Sequence, residues 1–167
     1  EAAAELGLGL DVLIGPGGGD QHAGAAGLGM REGEVTYSLG TSGVVLTTTN
    51  DPVFDDTGDV NGVSNITGGY LPLVCTLNST KVTDTVARLL GVGLDELAAL
   101  ALAAPDRDAR PVFSAYLDGE RSPNRPGGVG ILGGLSNETT REELAAAAFE
   151  GVLFGLVRGH ERLRAAG

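Results

Sequence analysis

Two short glycine-bounded segments carry the residue types best suited to chemistry. In "GPGGGDQHAGAAGLG", residues 15–29, three glycines at 17–19 stand directly ahead of Asp20 and a run of small, helix-compatible residues. The glycines permit backbone conformations closed to other residues and let a ligand approach the main chain. A carboxylate at a helix start is favoured in its charged form by the helix dipole and free N–H groups, by roughly 0.3–1 kcal/mol at an exposed site. It could therefore orient and deprotonate a hydroxyl. Taken alone, an ordinary helix N-cap is the simpler reading of Asp20.

The second segment is "SLGTSG", residues 38–43. Its backbone N–H groups and the Thr41 hydroxyl could line a concave site for a transferred phosphate, although Gly-Thr-Ser-Gly is also a sound structural turn. One turn offers a base and the other an anion cradle. Phosphoryl transfer, which needs mainly positioning and charge stabilisation, is the reaction that uses both. Other chemistries lack their parts. No Walker A sequence is present, and the glycines at 15–29 lack the strand-helix-strand continuation with a ribose acid that dinucleotide binding needs. His22 and His160 have no third ligand at metal spacing, so we assign no metal site, and "GTSGV" is not a nucleophile elbow.

The elements that would position these segments can be read from periodicity. "LDVLIG", residues 10–15, suits a buried strand running into the glycines, with a helix over 21–29. Residues 34–49 alternate as a hairpin around Gly-Thr-Ser-Gly. "DPVFDDTGDVNG", 51–62, reads as a solvated acidic loop. A strand in "GGYLPLVCTL" leads to a helix over 79–90, a second helix spans 95–104, and "RPVFSAY" begins as a strand before a long Gly/Pro/charged loop from Asp118. Thr140 and Glu143 form a capping-box pattern, and Leu144, Ala148, Val152, Leu156 and Leu163 follow as an apolar stripe. The sum is an α/β fold with a mixed β-sheet flanked by helices.

Composition narrows the class. With 11 basic and 22 acidic residues the net charge is −11, which disfavours nucleic acid and anionic membrane surfaces. Bound phosphate should be held by backbone N–H groups, helix ends or a few local side chains. Cys75 is the single cysteine, which points to a reducing compartment, and no apolar run reaches membrane-spanning length. We expect a cytoplasmic protein.

With "GGGDQHAGAAGLG", "SLGTSG", "VCTLNSTKVTDTVARLLG", "FSAYLDGERSPNRPGG" and "GLSNETTREELAAAAFEGVLFGL" in this order, the chain resembles the FGGY carbohydrate kinases from about Asp11 to its end. The resemblance implies a ribonuclease-H-like, actin-like ATPase fold of two lobes around a cleft. It further implies ATP- and Mg²⁺-dependent phosphorylation of a sugar, with "YLDGERSPN" closer to the members that act on the C5 hydroxyl of D-xylulose than to glycerol kinases. By position, Asp20 resembles the catalytic base and Gln21 the adjacent sugar contact. Gly40 and Thr41 match the turn facing the β- and γ-phosphates of ATP, and Asn78 and Ser79 lie near the nucleotide. Gln21 stands where many members selective for D-xylulose carry Asn. On this resemblance residues 1–167 are part of the carboxy-terminal lobe, without the amino-terminal lobe and the adenine-binding segment, so the chain alone is expected to be inactive. Gluconate, ribulose or glycerol as substrate, a non-catalytic nucleotide-binding module, and a homodimer formed through exposed interlobe surface are the alternatives and additions that this reading leaves open.

Overall fold

The computed structural model describes residues 1–9, 11–13, 15, 17–106 and 110–167. Among the described residues the elements follow in chain order as α1 (Ala2–Glu5), α2 (Asp20–Leu28), β1 (Val35–Leu39), β2 (Gly43–Thr47), β3 (Leu73–Thr76), α3 (Thr80–Leu90), α4 (Leu94–Leu102), β4 (Val112–Ala115), β5 (Gly130–Gly133) and α5 (Arg141–Ala166).

Strand β2 is the centre of the molecule. It pairs antiparallel with β1, opposing Tyr37 to Val45 and Ser38 to Val44, and antiparallel with β3, opposing Val44 to Cys75 and Val45 to Val74. Because side chains alternate across a sheet, Val45 and Val74 face one side, where they meet Val152, Leu156 and Leu163 of α5. Val44 and Leu46 face the other side and pack with Leu71, Leu73 and Ala25 of α2. Both faces of β2 are therefore covered, which explains its unbroken apolar sequence.

Helix α5 reads as the sequence predicts. Thr140 accepts from the Glu143 N–H at 3.4 Å, and the Glu143 carboxylate accepts from the Thr140 N–H at 2.9 Å, closing the capping box. Along its length α5 covers the sheet. Near its start, Ala145 and Ala148 pack with Val86 and Ala87 of α3 and Leu97 of α4.

Three expectations need correction. Where one mixed sheet was expected, the named strands form two antiparallel sheets, β1-β2-β3 and β4-β5. The short link from Leu39 to Gly43 can join only antiparallel neighbours, whereas β3 and β5 return to their partners through long loops. The strand placed at 10–15 is not formed by its described residues: 11–13 and 15 are exposed and irregular, because a strand needs a partner and the sheet supplies none there. Leu10 and Ile14 lie outside the described residues.

The acidic loop at 51–62 is not simply solvated. Asp55 and Asp59 keep only 7% and 9% of their side-chain surface, and Arg162 of α5 reaches them at 3.4 and 3.3 Å, with Arg158 adding 3.4 Å to Asp59. The Val60 N–H, then the Thr57 hydroxyl and, more weakly, Arg162 hold the Asp55 carboxyl down at about 2, against an opposing effect of burial. A carboxyl depressed in the folded state stabilises fully above its ordinary value of 3.8 and loses that contribution as pH falls toward 2. Thermal unfolding scans should show Asp55→Asn with a shallower loss of stability across that window than the parent, and an unchanged slope would mean that Asp55 is not so depressed.

Candidate active site

The site is built where β2 begins and β3 ends. Gly43, opening β2, lies against Thr76, closing β3, and donates its N–H to the Thr76 hydroxyl at 3.2 Å. A Cβ added at Gly43 would sit 2.7 Å from Thr76 Oγ1 and 2.8 Å from Leu156 Cδ2, so only glycine fits. This close approach brings the Gly40–Ser42 turn down onto the start of α3. There the N–H groups of Ser79 and Thr80 donate to the carbonyls of Thr41 and Gly40, at 3.2 and 3.0 Å.

The turn thus has two sides. Its carbonyls are latched to α3, whereas the Thr41 hydroxyl and the N–H groups of Thr41 and Ser42 have no partner among the described residues, and Gly40, Thr41 and Ser42 are exposed. Unsatisfied N–H groups turned outward from a fixed loop suit an anion.

Helix α2 packs on the face of this sheet where Ala25 meets Val44 and Leu46. Gly19 is its N-cap and Asp20 its first residue; Asp20 Oδ1 accepts from the Gln21 N–H at 2.8 Å, and Asp20 is otherwise exposed. Asp20 is therefore not the side-chain cap of the helix. Gln21 lines a pocket of about 240 Å³ together with Thr36, Tyr37 and Ser38 of β1, which places α2's first turn against the strand that leads into Gly40. Cys75, opposite Val44, reports on the neighbourhood: burial pushes its thiol up, the Arg121 charge opposes this and the Asp20 charge adds to it. Both charges are thus within electrostatic reach of one sulfur.

Asn78 and Glu120 show a network that sequence reasoning missed. Asn78, 4% exposed, donates to the Gly119 carbonyl at 2.7 Å and to Glu120 Oε2 at 2.9 Å, and accepts from the Leu117 N–H at 3.2 Å. Glu120, also 4% exposed, accepts from the N–H groups of Leu77 and, at 2.8 Å, Arg121. The Asn78 amide is therefore engaged with the 117–120 loop rather than presented to a nucleotide. Ser79 is fully buried behind it.

A mostly apolar pocket of about 370 Å³ between α4 and α5 shares no lining residue with the turn or α2. Among the described residues no three His, Cys, Asp or Glu side chains converge as a metal site, and no helix is long and apolar enough to cross a membrane.

The family model for the carboxy-terminal domain of the FGGY carbohydrate kinases matches residues 35–167. The chain belongs to this family. The matched FGGY segment contains Gly40 and Thr41 and begins after Asp20 and Gln21. Similar FGGY proteins include the xylulose kinase of Streptomyces rubiginosus, 40% identical over 153 residues, which takes in 92% of this chain and 30% of that protein. The solved xylulose kinase from Bifidobacterium adolescentis is 42% identical with a TM-score of 0.85, over 96% of this chain and 33% of that one. A gluconate kinase from Lactobacillus acidophilus superposes equally well, TM-score 0.85 over 96% of this chain and 34% of that one, at 24% identity, and so speaks for the fold alone. The chain spans about a third of the length of the relatives it matches. The fold is that of the FGGY kinases, an actin-like ATPase class, of which these elements form part of the carboxy-terminal lobe.

Proposed function

We propose that residues 1–167 are part of the carboxy-terminal lobe of a sugar kinase that transfers the γ-phosphoryl group of ATP to the C5 hydroxyl of D-xylulose. The observation that carries the reaction type is the half-latched turn, its carbonyls bonded to α3 and the N–H groups of Thr41 and Ser42 unpartnered among the described residues, with the exposed Asp20 carboxylate opening the helix that packs on β1, the strand leading into that turn. The names borne by the 40% and 42% identical relatives support D-xylulose.

In this reading Asp20 accepts the proton of the sugar hydroxyl as its oxygen bonds to the γ-phosphorus and the bond to the ADP oxygen breaks. Gln21 orients the sugar beside it, and the N–H groups of Thr41 and Ser42, in the turn that Gly40 opens with its own N–H bonded to the Ser42 carbonyl at 3.1 Å, hold the β- and γ-phosphates. Mg²⁺ would enter with ATP, as it commonly does, through phosphate oxygens, water and one or two carboxylates. The working enzyme would be cytoplasmic, and light scattering of the full-length protein would test whether it is a homodimer.

The substrate is tested with the full-length kinase and ATP against D-xylulose, gluconate, ribulose and glycerol. Preferred turnover of D-xylulose is expected. Equal or better turnover of gluconate, whose kinase shares the fold, would replace D-xylulose in this reading.

A further inference from the structure

We infer that Arg121 holds the phosphoryl group during its transfer, an inference that rests on the sugar-kinase reading above. Three observations of the molecule carry it.

The first is rigidity. The Arg121 N–H is bonded to the buried Glu120 carboxylate at 2.8 Å. On its other side Ser122, 3% exposed, donates to the Asp59 carbonyl at 3.2 Å. Residue 121 is thus pinned from both directions within an otherwise glycine- and proline-rich loop.

The second is that its charge is free. Arg121 directly follows a buried carboxylate, yet Glu120 is satisfied by the Leu77 and Arg121 N–H groups and the Asn78 amide. The guanidinium itself is exposed and makes no ion pair or hydrogen bond with any described residue. Lys81, the cation on the first turn of α3, is instead paired with Asp118 at 3.1 Å.

The third is place. Glu120 accepts from the N–H of Leu77, the residue after β3, which fixes the loop bearing Arg121 at the β3–α3 junction, next to Ser79 and Thr80 where the turn is received.

A chain of net charge −11 repels phosphate, and neutral amides at the turn do not offset the charge that gathers on the three equatorial oxygens of a phosphoryl group in transit. An arginine supplies a planar fork of donors that matches two such oxygens. As the γ-phosphorus leaves the ADP oxygen for the sugar oxygen and the proton passes to Asp20, Arg121 would stay bonded to the moving group throughout.

The test uses Arg121→Ala and Arg121→Lys in the full-length kinase. Expected are a fall in kcat of about 10²–10³-fold for the alanine variant, partial recovery with lysine, and unchanged calorimetric affinity for the sugar and for ADP alone. Affinity for ADP with aluminium fluoride, a mimic of the phosphoryl group, should fall by about 10- to 100-fold in the presence of sugar. Should the alanine variant not fold, the lysine variant is read by the same binding comparison. An unchanged kcat, an equal loss of ADP and ADP–aluminium fluoride binding, or a shift only in the acidic limb of the pH profile, which would mean that Arg121 tunes Asp20, overturns the inference while leaving a sugar kinase. Absence of phosphoryl transfer by the parent enzyme overturns the sugar-kinase reading itself.

Discussion

In the full-length kinase, Asp20→Asn should lower kcat by about 10²–10⁴-fold with little change in the thermal midpoint or in sugar affinity. The asparagine side chain is the same size, and its oxygen can still accept from the Gln21 N–H as Asp20 Oδ1 does. What it cannot do is take a proton. Because Gly19 caps α2 and Asp20 is exposed, the carboxylate has little structural work whose loss would mimic a catalytic defect. At most, the dipole contribution of a charge in the first turn, roughly 0.3–1 kcal/mol, would disappear. Full activity in the Asn variant would remove Asp20 as the base and leave it an ordinary helix-start residue.

The second large effect is on stability. Glu120→Ala should cost of the order of 3–5 kcal/mol, measured by urea unfolding. The substitution strands the N–H of Leu77 and weakens the hold on the Asn78 amide, both at the β3–α3 junction, and frees the Arg121 N–H. Burial makes the loss severe, since Glu120 and Asn78 are each 4% exposed and water has little access to replace the lost acceptor. Glu120→Gln, which keeps one acceptor oxygen, should lose less. A loss below about 1 kcal/mol for the alanine variant would show that the loop is held by its other contacts.

The contrast between these residues also shows what a sequence can and cannot display. The start of α5 was legible because Thr140 and Glu143 are three residues apart and cap each other locally. The hairpin was legible because alternation and a glycine turn are local as well. Asp20 was marked by its flanking glycines, although whether it capped α2 depended on which residue entered the helix first, a boundary that periodicity does not set. Asn78 and Glu120 meet across 42 residues, and Asp59 meets Arg158 across 99. Each side chain alone looks like an ordinary solvated residue, and only folding supplies the partner. Strand β5 escaped notice for another reason: all four residues from Gly130 to Gly133 are exposed, so burial imposed no alternation on its sequence.

The latch between the turn and α3 has a mechanical meaning. The carbonyls of Gly40 and Thr41 are joined to the first N–H groups of α3, and Asn78 joins that junction to the 117–120 loop, so the three segments are bonded into one unit. A push on the turn from a bound ligand would be delivered along the axis of α3, whose far half packs on α4 and α5. The end of the sheet is thus tied to its helical layer by backbone bonds at the turn and a buried amide at the junction.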